Sequence, residues 1–339
     1  MNPIALLTGA AALVAVAFHG ATDALAAEVE LKAVTGVSGR SVVSKVFLRW
    51  VADVNKRGKG LVRIKYLGAG EITPPFQQAA ALKRGLFDML YAPAAFYAGQ
   101  VKEVDALIGS NKPITELRKN GSMDYLEKLW QAQLNSHILG WFDTDVRFHM
   151  YFGAKGKPRI PQTEAEMRVM LKGIKMFSTP TFREFQIMLG ATPVALKVPE
   201  ILPSMDKGVI RGYGWPEYGM TGLGMARVTR YRLDPTYYRG NIMTLVNARK
   251  WNSLPQKVKA FLTAEAIKYE TASAVYVRAE VEREQNILKK AGMKVLTLKR
   301  ELAKKYRAWA HGIAWKRLAR RSPKHAAKLK ALMYDPALD

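Results

Sequence analysis

Apolar and polar residues alternate over residues 29–34, and again where Val62, Ile64 and Tyr66 interleave with Arg63 and Lys65. That two-residue period is the mark of a strand with one buried face. Between the two runs, Val43, Val46, Phe47, Trp50, Val51 and Val54 recur at the spacing of one helix face and predict an amphipathic helix over residues 40–56. A second helix is predicted from Pro75 to Arg84, where Gly85 stops it before a strand over residues 86–91. Strands separated by helices of this length imply right-handed crossovers and a parallel sheet whose ligand edge lies at the strand C-termini.

The pattern continues with a helix over residues 123–134 and strands over 138–141 and 146–152, then a Gly/Pro/basic connector over 155–162. Residues 171–212 form a compact α/β unit. A strand holds Ile174 and Met176, and a helix over 181–189 has an apolar face of Phe182, Phe185, Met188 and Leu189. A strand over 193–196, a helix over 199–207 and a strand over 209–213 complete the unit. Further on come a strand over 242–247, a late strand over 293–298 and a helix over 301–319. After Pro255 no Gly or Pro interrupts the chain through Lys290. A single helix of that length would run about 50 Å, so the residues alone allow two helices or one long spine.

Composition narrows the classes. At 339 residues and 49% hydrophobic the chain has ample capacity for a buried core. The apolar run of residues 4–18, followed by Ala24-Leu25-Ala26-Ala27, reads as a signal peptide of residues 1–27, although its start carries no Lys or Arg. With no cysteine there is no disulfide, thiolate metal site or thiol nucleophile, which suits the periplasm. His19, His137, His149, His311 and His325 show no metal-ligand spacing, Gly68-Ala69-Gly70 lacks the third glycine of a dinucleotide loop, and residues 153–157 lack a full phosphate loop. Binding without chemistry is favoured, with no catalytic residue, no cofactor and no metal.

The formal net charge of +25 makes a nucleic-acid or anionic-surface binder a rival. The basic residues are spread along the chain, and the dense run of residues 299–330 also carries Leu302, Tyr306, Trp309 and Ile313 at helical spacing. That run reads as a solvated face on a packed helix.

Several motifs carry a family resemblance. They are Leu82, Gly85 and Asp88 before the third strand, Lys172-Gly173-Ile174-Lys175, Thr179-Pro180-Thr181, and Leu189-Gly190-Ala191-Thr192-Pro193-Val194. Lys207-Gly208-Val209-Ile210-Arg211-Gly212 and the set Asn247, Trp251, Leu254 and Pro255 complete them. Over nearly its whole length the chain resembles the DctP-like solute-binding proteins of tripartite ATP-independent periplasmic (TRAP) transporters. The resemblance implies an α/β, two-lobe periplasmic binding protein fold, type II-like, with a long helix spanning both lobes. It implies residues 28–147 plus about 241–272 as lobe 1, and 148–240 plus about 273–339 as lobe 2. It also implies a non-enzymatic receptor, monomeric or homodimeric, that passes a small organic acid to membrane permease subunits, with no nucleic acid as partner. The other readings are the basic nucleic-acid or anionic-surface binder and a receptor-fold sensor without a transport role.

The same resemblance marks site positions. The family's usual carboxylate clamp, an arginine two residues after the lysine of the KGxK strand, is Phe177 here. A second family arginine is kept as Arg147, for which a surface salt bridge to Asp143 or Asp145 is the other reading. Tyr91 and Phe96 follow the third strand, and the family's DGxE becomes Arg211-Gly212-Tyr213-Gly214, followed by Trp215. Flat rings with one arginine suit a planar, partly apolar acid. Arg147 is expected to hold the carboxylate of an aromatic or hydrophobic monocarboxylate, Phe177 and Trp215 to sandwich its body, and Glu71 or Tyr91 to take a hydroxyl.

Overall fold

The computed structural model describes residues 28–339; the expected signal peptide lies outside them. The chain opens with β1 (Val29–Thr35), α1 (Val42–Arg57) and β2 (Val62–Gly68). Ser41 starts α1 by accepting the Ser44 N–H at 3.1 Å, which satisfies a backbone donor that the helix start leaves open. Val46, Phe47, Trp50 and Val54 lie buried on its inner face. Next, α2 (Gln78–Arg84) stops at Gly85, whose φ of 85° is a left-handed conformation that glycine adopts without a Cβ clash. β3 (Met89–Pro93) follows. Two six-residue helices, α3 (Val104–Gly109) and α4 (Ile114–Lys119), are too short for an apolar period to reveal and are new here. α5 (Ser122–Leu134) and β4 (Ser136–Trp141) complete this passage.

The second passage runs β5 (Phe148–Phe152), α6 (Glu164–Met167), β6 (Lys175–Ser178), α7 (Pro180–Met188), β7 (Thr192–Ala195), α8 (Val198–Asp206), β8 (Gly212–Pro216) and β9 (Tyr231–Asp234). The strand expected over 209–213 starts later than its apolar residues suggest. Gly208 turns the chain with a φ of 73°, so Val209 stays half exposed and Ile210 enters the core ahead of the strand.

The chain then returns through β10 (Ile242–Asn247), α9 (Ala248–Ser253), α10 (Gln256–Lys290), β11 (Lys294–Thr297), α11 (Arg300–Arg321) and α12 (Pro323–Met333). Asn247 caps α9 by accepting the Lys250 N–H at 3.1 Å. The strands form two sheets, ordered β2-β1-β3-β10-β4 and β11-β9-β5-β8-β6-β7. β1 is parallel to β2 and β3, while the returning β10 is antiparallel to β3 and β4. In the second sheet β6 is parallel to β7 and β8, and β5 runs antiparallel to β8 and β9.

Of the two arrangements open for residues 256–290, the spine is realised: α10 is one helix of 35 residues. Its Val258, Leu262, Ala266 and Val277 join the first lobe's core, and Leu288 joins the second's. Two buried carboxylates pin it. Glu270 receives Arg118 Nε at 2.6 Å and the Trp141 N–H at 2.8 Å; Glu284 receives the Gly219 and Thr221 N–H groups at 2.6 and 3.0 Å. α11 also crosses, with Tyr306 and Ala310 in the second lobe's core and Trp315 and Leu318 in the first's. The C-terminal stretch therefore does not stay with the second lobe as expected. α12 places Ala326, Leu329 and Met333 in the first lobe's core, because the apolar face of α11 carries the chain back across before Pro323 turns it.

Candidate functional site

In the first lobe the segments leaving β2 and β3 stand at the C-terminal edge of the parallel strands, where α/β sheets place ligands. Glu71 and Phe76 follow β2, and Phe96 follows β3. The Phe76 and Phe96 rings lie 4.9 Å apart, tilted by 48°. Phe76 is 70% exposed, so the pair presents an apolar surface to solvent. Glu71 is exposed, and backbone hydrogen bonds at Glu71 and Ala69 hold its carboxyl below the usual range. The Ala94 N–H donates to Asn241 O at 2.9 Å, which ties the turn bearing Phe96 to the segment where the chain crosses back between lobes.

In the second lobe β5 starts where β8 ends, with Phe148 paired to Pro216. The Glu217 N–H donates to Arg147 O, and the Arg147 N–H to Glu217 Oε2, each at 2.9 Å. Arg147 and Trp215 thus share one sheet edge. Phe177, at the end of β6, has its ring 6.3 Å from Trp215, tilted by 46°. Trp215 is half-buried, whereas Phe177 is 3% exposed and joins the core that includes Ile201 and Met205. Gly214 stands where the resemblance expects an acid. A side chain there would meet Tyr237 Oη at 2.7 Å, so packing has taken that volume.

Arg147 has neither of the salt bridges weighed from sequence. Its Nη1 donates to Thr144 O at 2.6 Å and Val146 O at 3.2 Å, and burial lowers its pKa. Asp145 faces outward to Arg278 at 3.8 Å. Asp143 accepts the Trp141 Nε1–H at 3.1 Å and the Ile242 N–H at 3.0 Å, and burial raises its pKa to about 7. Opposite Arg147, as its partner in an antiparallel bridge, stands Arg239. Arg239 is 2% exposed. Its Nη1 donates to Ser110 Oγ at 3.1 Å and Lys112 O at 2.7 Å, and its Cζ lies 5.4 Å over the Trp141 ring.

Phe177 and Trp215 are therefore brought together, Arg147 lies one residue before β5, the strand paired with the one that carries Trp215, and Phe96 and Glu71 stand on the other lobe. Tyr91 takes a different place. Its ring is buried and stacks on Phe47 at 5.1 Å, because its position in β3 turns it toward the α1 side. Two residues were missed. Phe76 was readable beside Glu71 in Pro74-Pro75-Phe76, while Arg239 gives no local signal. Among the described residues no cluster of His, Asp and Glu is placed to hold a metal, and no helix is long and apolar enough to cross a membrane.

Residues 170–319 match the family model of DctP, bacterial extracellular solute-binding protein, family 7. That stretch of the chain, a little under half of it, is similar to the DctP family. Its members are solute-binding receptors, and the match takes in the α/β unit around Phe177, the spine and most of α11. Solved structures share the fold of this chain. A TRAP periplasmic solute-binding protein from Desulfovibrio salexigens with bound orotic acid superposes with a TM-score of 0.73 at 16% identity, covering 90% of this chain and 97% of that one. One from Bordetella bronchiseptica, with picolinate and calcium, has a TM-score of 0.73 at 19% identity, covering 92% and 93%. A marine metagenome protein described as specific for aromatic acids, in complex with 3-hydroxybenzoate, has a TM-score of 0.69 at 19% identity, covering 92% and 98%.

Proposed function

We propose that this protein is a periplasmic receptor of the DctP family that captures a planar organic acid between its lobes and delivers it to a TRAP-type permease. Arg147 receives the carboxylate, and Phe177 with Trp215 on one lobe and Phe96 with Phe76 on the other flank the ring. Glu71 is placed to take a hydroxyl. The observation that carries this reading is Arg147 itself, a half-buried guanidinium that hydrogen-bonds only to neutral carbonyls although burial outweighs the pull of Asp145, Glu217 and Asp143, at the same sheet edge as a tilted pair of aromatic rings. Such a cation gains most from a charged acceptor, and aromatic faces favour a flat body beside it. The orotate, picolinate and 3-hydroxybenzoate of the solved relatives are acids of that shape, each stated of its own protein. Other relatives hold L-galactonate and D-glucuronate, so the rings of this chain argue for the aromatic class.

Calorimetric titration with benzoate, 3-hydroxybenzoate and aliphatic acids of similar size tests the reading. The aromatic acids are expected to bind tighter. Equal or weaker binding of them would falsify the aromatic assignment.

A further inference from the structure

The end of the second sheet that points away from Phe177 and Trp215 carries cations on strand after strand. Lys175 and Lys294 are the first residues of β6 and β11, Arg211 and Arg230 immediately precede β8 and β9, and Lys155 lies just past the end of β5. Backbone hydrogen bonds stitch this end into a row. Arg211 N–H donates to Lys175 O at 2.8 Å, Gly153 N–H to Arg211 O at 3.0 Å, Arg230 N–H to Phe152 O at 2.8 Å and Lys294 N–H to Arg230 O at 2.9 Å. Neighbouring strands lie about 4.8 Å apart, so the row is about 20 Å long. Lys207 and Arg227 join it around the open depression of about 250 Å³.

The fold leaves these charges without an answer. Asp206 is the one carboxylate of the depression, and it is paired with Arg227. Among the described residues no ion pair reaches Lys155, Lys175, Lys207, Arg211, Arg230 or Lys294, whereas on α11 Arg317 and Arg321 pair with Asp105, Arg320 with Glu184 and Lys305 with Glu164. All six except Arg230 are exposed. Val209, between Lys207 and Arg211, and Val295, next to Lys294, are exposed as well. The shape decides among anions. An enclosed phosphate site needs buried donors that converge on one point, and this row is open and wide. Single-stranded nucleic acid needs rings on which its bases stack, and no aromatic residue lines the depression. An anionic bilayer presents many headgroup charges over a broad area and takes aliphatic tips between them.

We propose that this pole of the second lobe docks on an anionic phospholipid surface, through the row of cations with Val209 and Val295 at the headgroup boundary. β6 and β8 run from this pole toward Phe177 and Trp215, so the docked protein keeps its cleft clear of the lipid. A receptor held this way meets a permease by searching a surface rather than a volume. The docking itself does not depend on which solute the cleft binds.

Co-sedimentation of the purified protein with phosphatidylcholine vesicles, with and without about one third phosphatidylglycerol, tests this at low and high salt. Binding is expected only to the vesicles that contain phosphatidylglycerol, and it should fall steeply as salt screens their surface. One cation near such a surface changes partitioning by about fivefold, so Lys207→Ala with Arg211→Ala should lower binding by about tenfold or more. Lys304→Ala with Lys316→Ala removes the same charge from exposed positions on α11 and should leave binding within about threefold of wild type. Equal losses in the two variants overturn the proposal, because net charge alone would then suffice. Equal binding to both kinds of vesicle overturns it without any variant. Release by inorganic phosphate at an ionic strength where chloride has no effect overturns it in favour of a phosphate site. Tighter binding of a single-stranded oligonucleotide than of the vesicles overturns it in favour of nucleic acid.

Discussion

The two ends of the second sheet carry cations in opposite settings. At the far end, Lys155, Lys207, Arg211, Arg227 and Arg230 line an open depression of about 250 Å³, with Asp206 already paired to Arg227. Four of the five are exposed and Arg230 is half-buried. At the cleft end stand Arg147 and Arg239, both held below their usual pKa by burial. Water and salt answer the first group, whose interactions are screened beyond about 10 Å at ordinary ionic strength. Arg239 has no such solvent and Arg147 only part of it. A net charge of +25 therefore says little about where a solute is held.

A third cation calibrates the comparison, because the fold answers it internally. Arg118 bonds Glu270 with Nε at 2.6 Å and Nη2 at 2.8 Å, inside the first lobe. Arg118→Ala strands a buried carboxylate and should cost roughly 3–5 kcal/mol of stability, read as a fall in denaturation midpoint. A loss under 1 kcal/mol would remove the distinction between answered and unanswered cations.

Arg147→Ala should instead leave the melting transition near wild type and weaken acid binding by roughly 2–5 kcal/mol. A folded variant that binds its acid as tightly as wild type takes Arg147 out of the site. Trp215→Ala comes next: it should lower affinity for aromatic acids by about 0.5–1.5 kcal/mol beyond the lost area and spare aliphatic ones. An equal loss for both classes would make Trp215 a packing residue only.

The pH response separates the two ends in another way. Asp143 titrates in the folded protein near 7 because burial penalises its charge, so the native state holds a proton that the unfolded chain has already released. Its contribution to stability is present below the ordinary carboxyl range and is lost as pH rises from about 4 to 7. Asp143→Asn should flatten that part of the stability profile, and an unchanged slope counts against the buried carboxyl. The smallest effect is expected at the far end. Lys207→Ala with Arg211→Ala should leave acid affinity unchanged and alter stability by no more than about 0.5 kcal/mol.

Local pattern carried most of the elements. The alternation at residues 29–34 became β1, the apolar face over 40–56 became α1, and the Gly- and Pro-free stretch became α10. Of the site, Phe177 and Trp215 were legible as departures from a family pattern, and Phe76 could have been read from its neighbours. Arg239 could not, since nothing near it distinguishes it from the other arginines.

Periodicity is a property of neighbouring residues, so the sequence by itself determined which stretches are helices and strands, where most of them stop, and which face of each is apolar. Partnership across the chain is different. Register set Arg147 against Arg239, the packing of Tyr237 closed the space beside Gly214, and the continuing apolar face of α11 returned α12 to the first lobe. Only the tertiary structure decided these, because a charge becomes costly or harmless according to which distant groups exclude water from it.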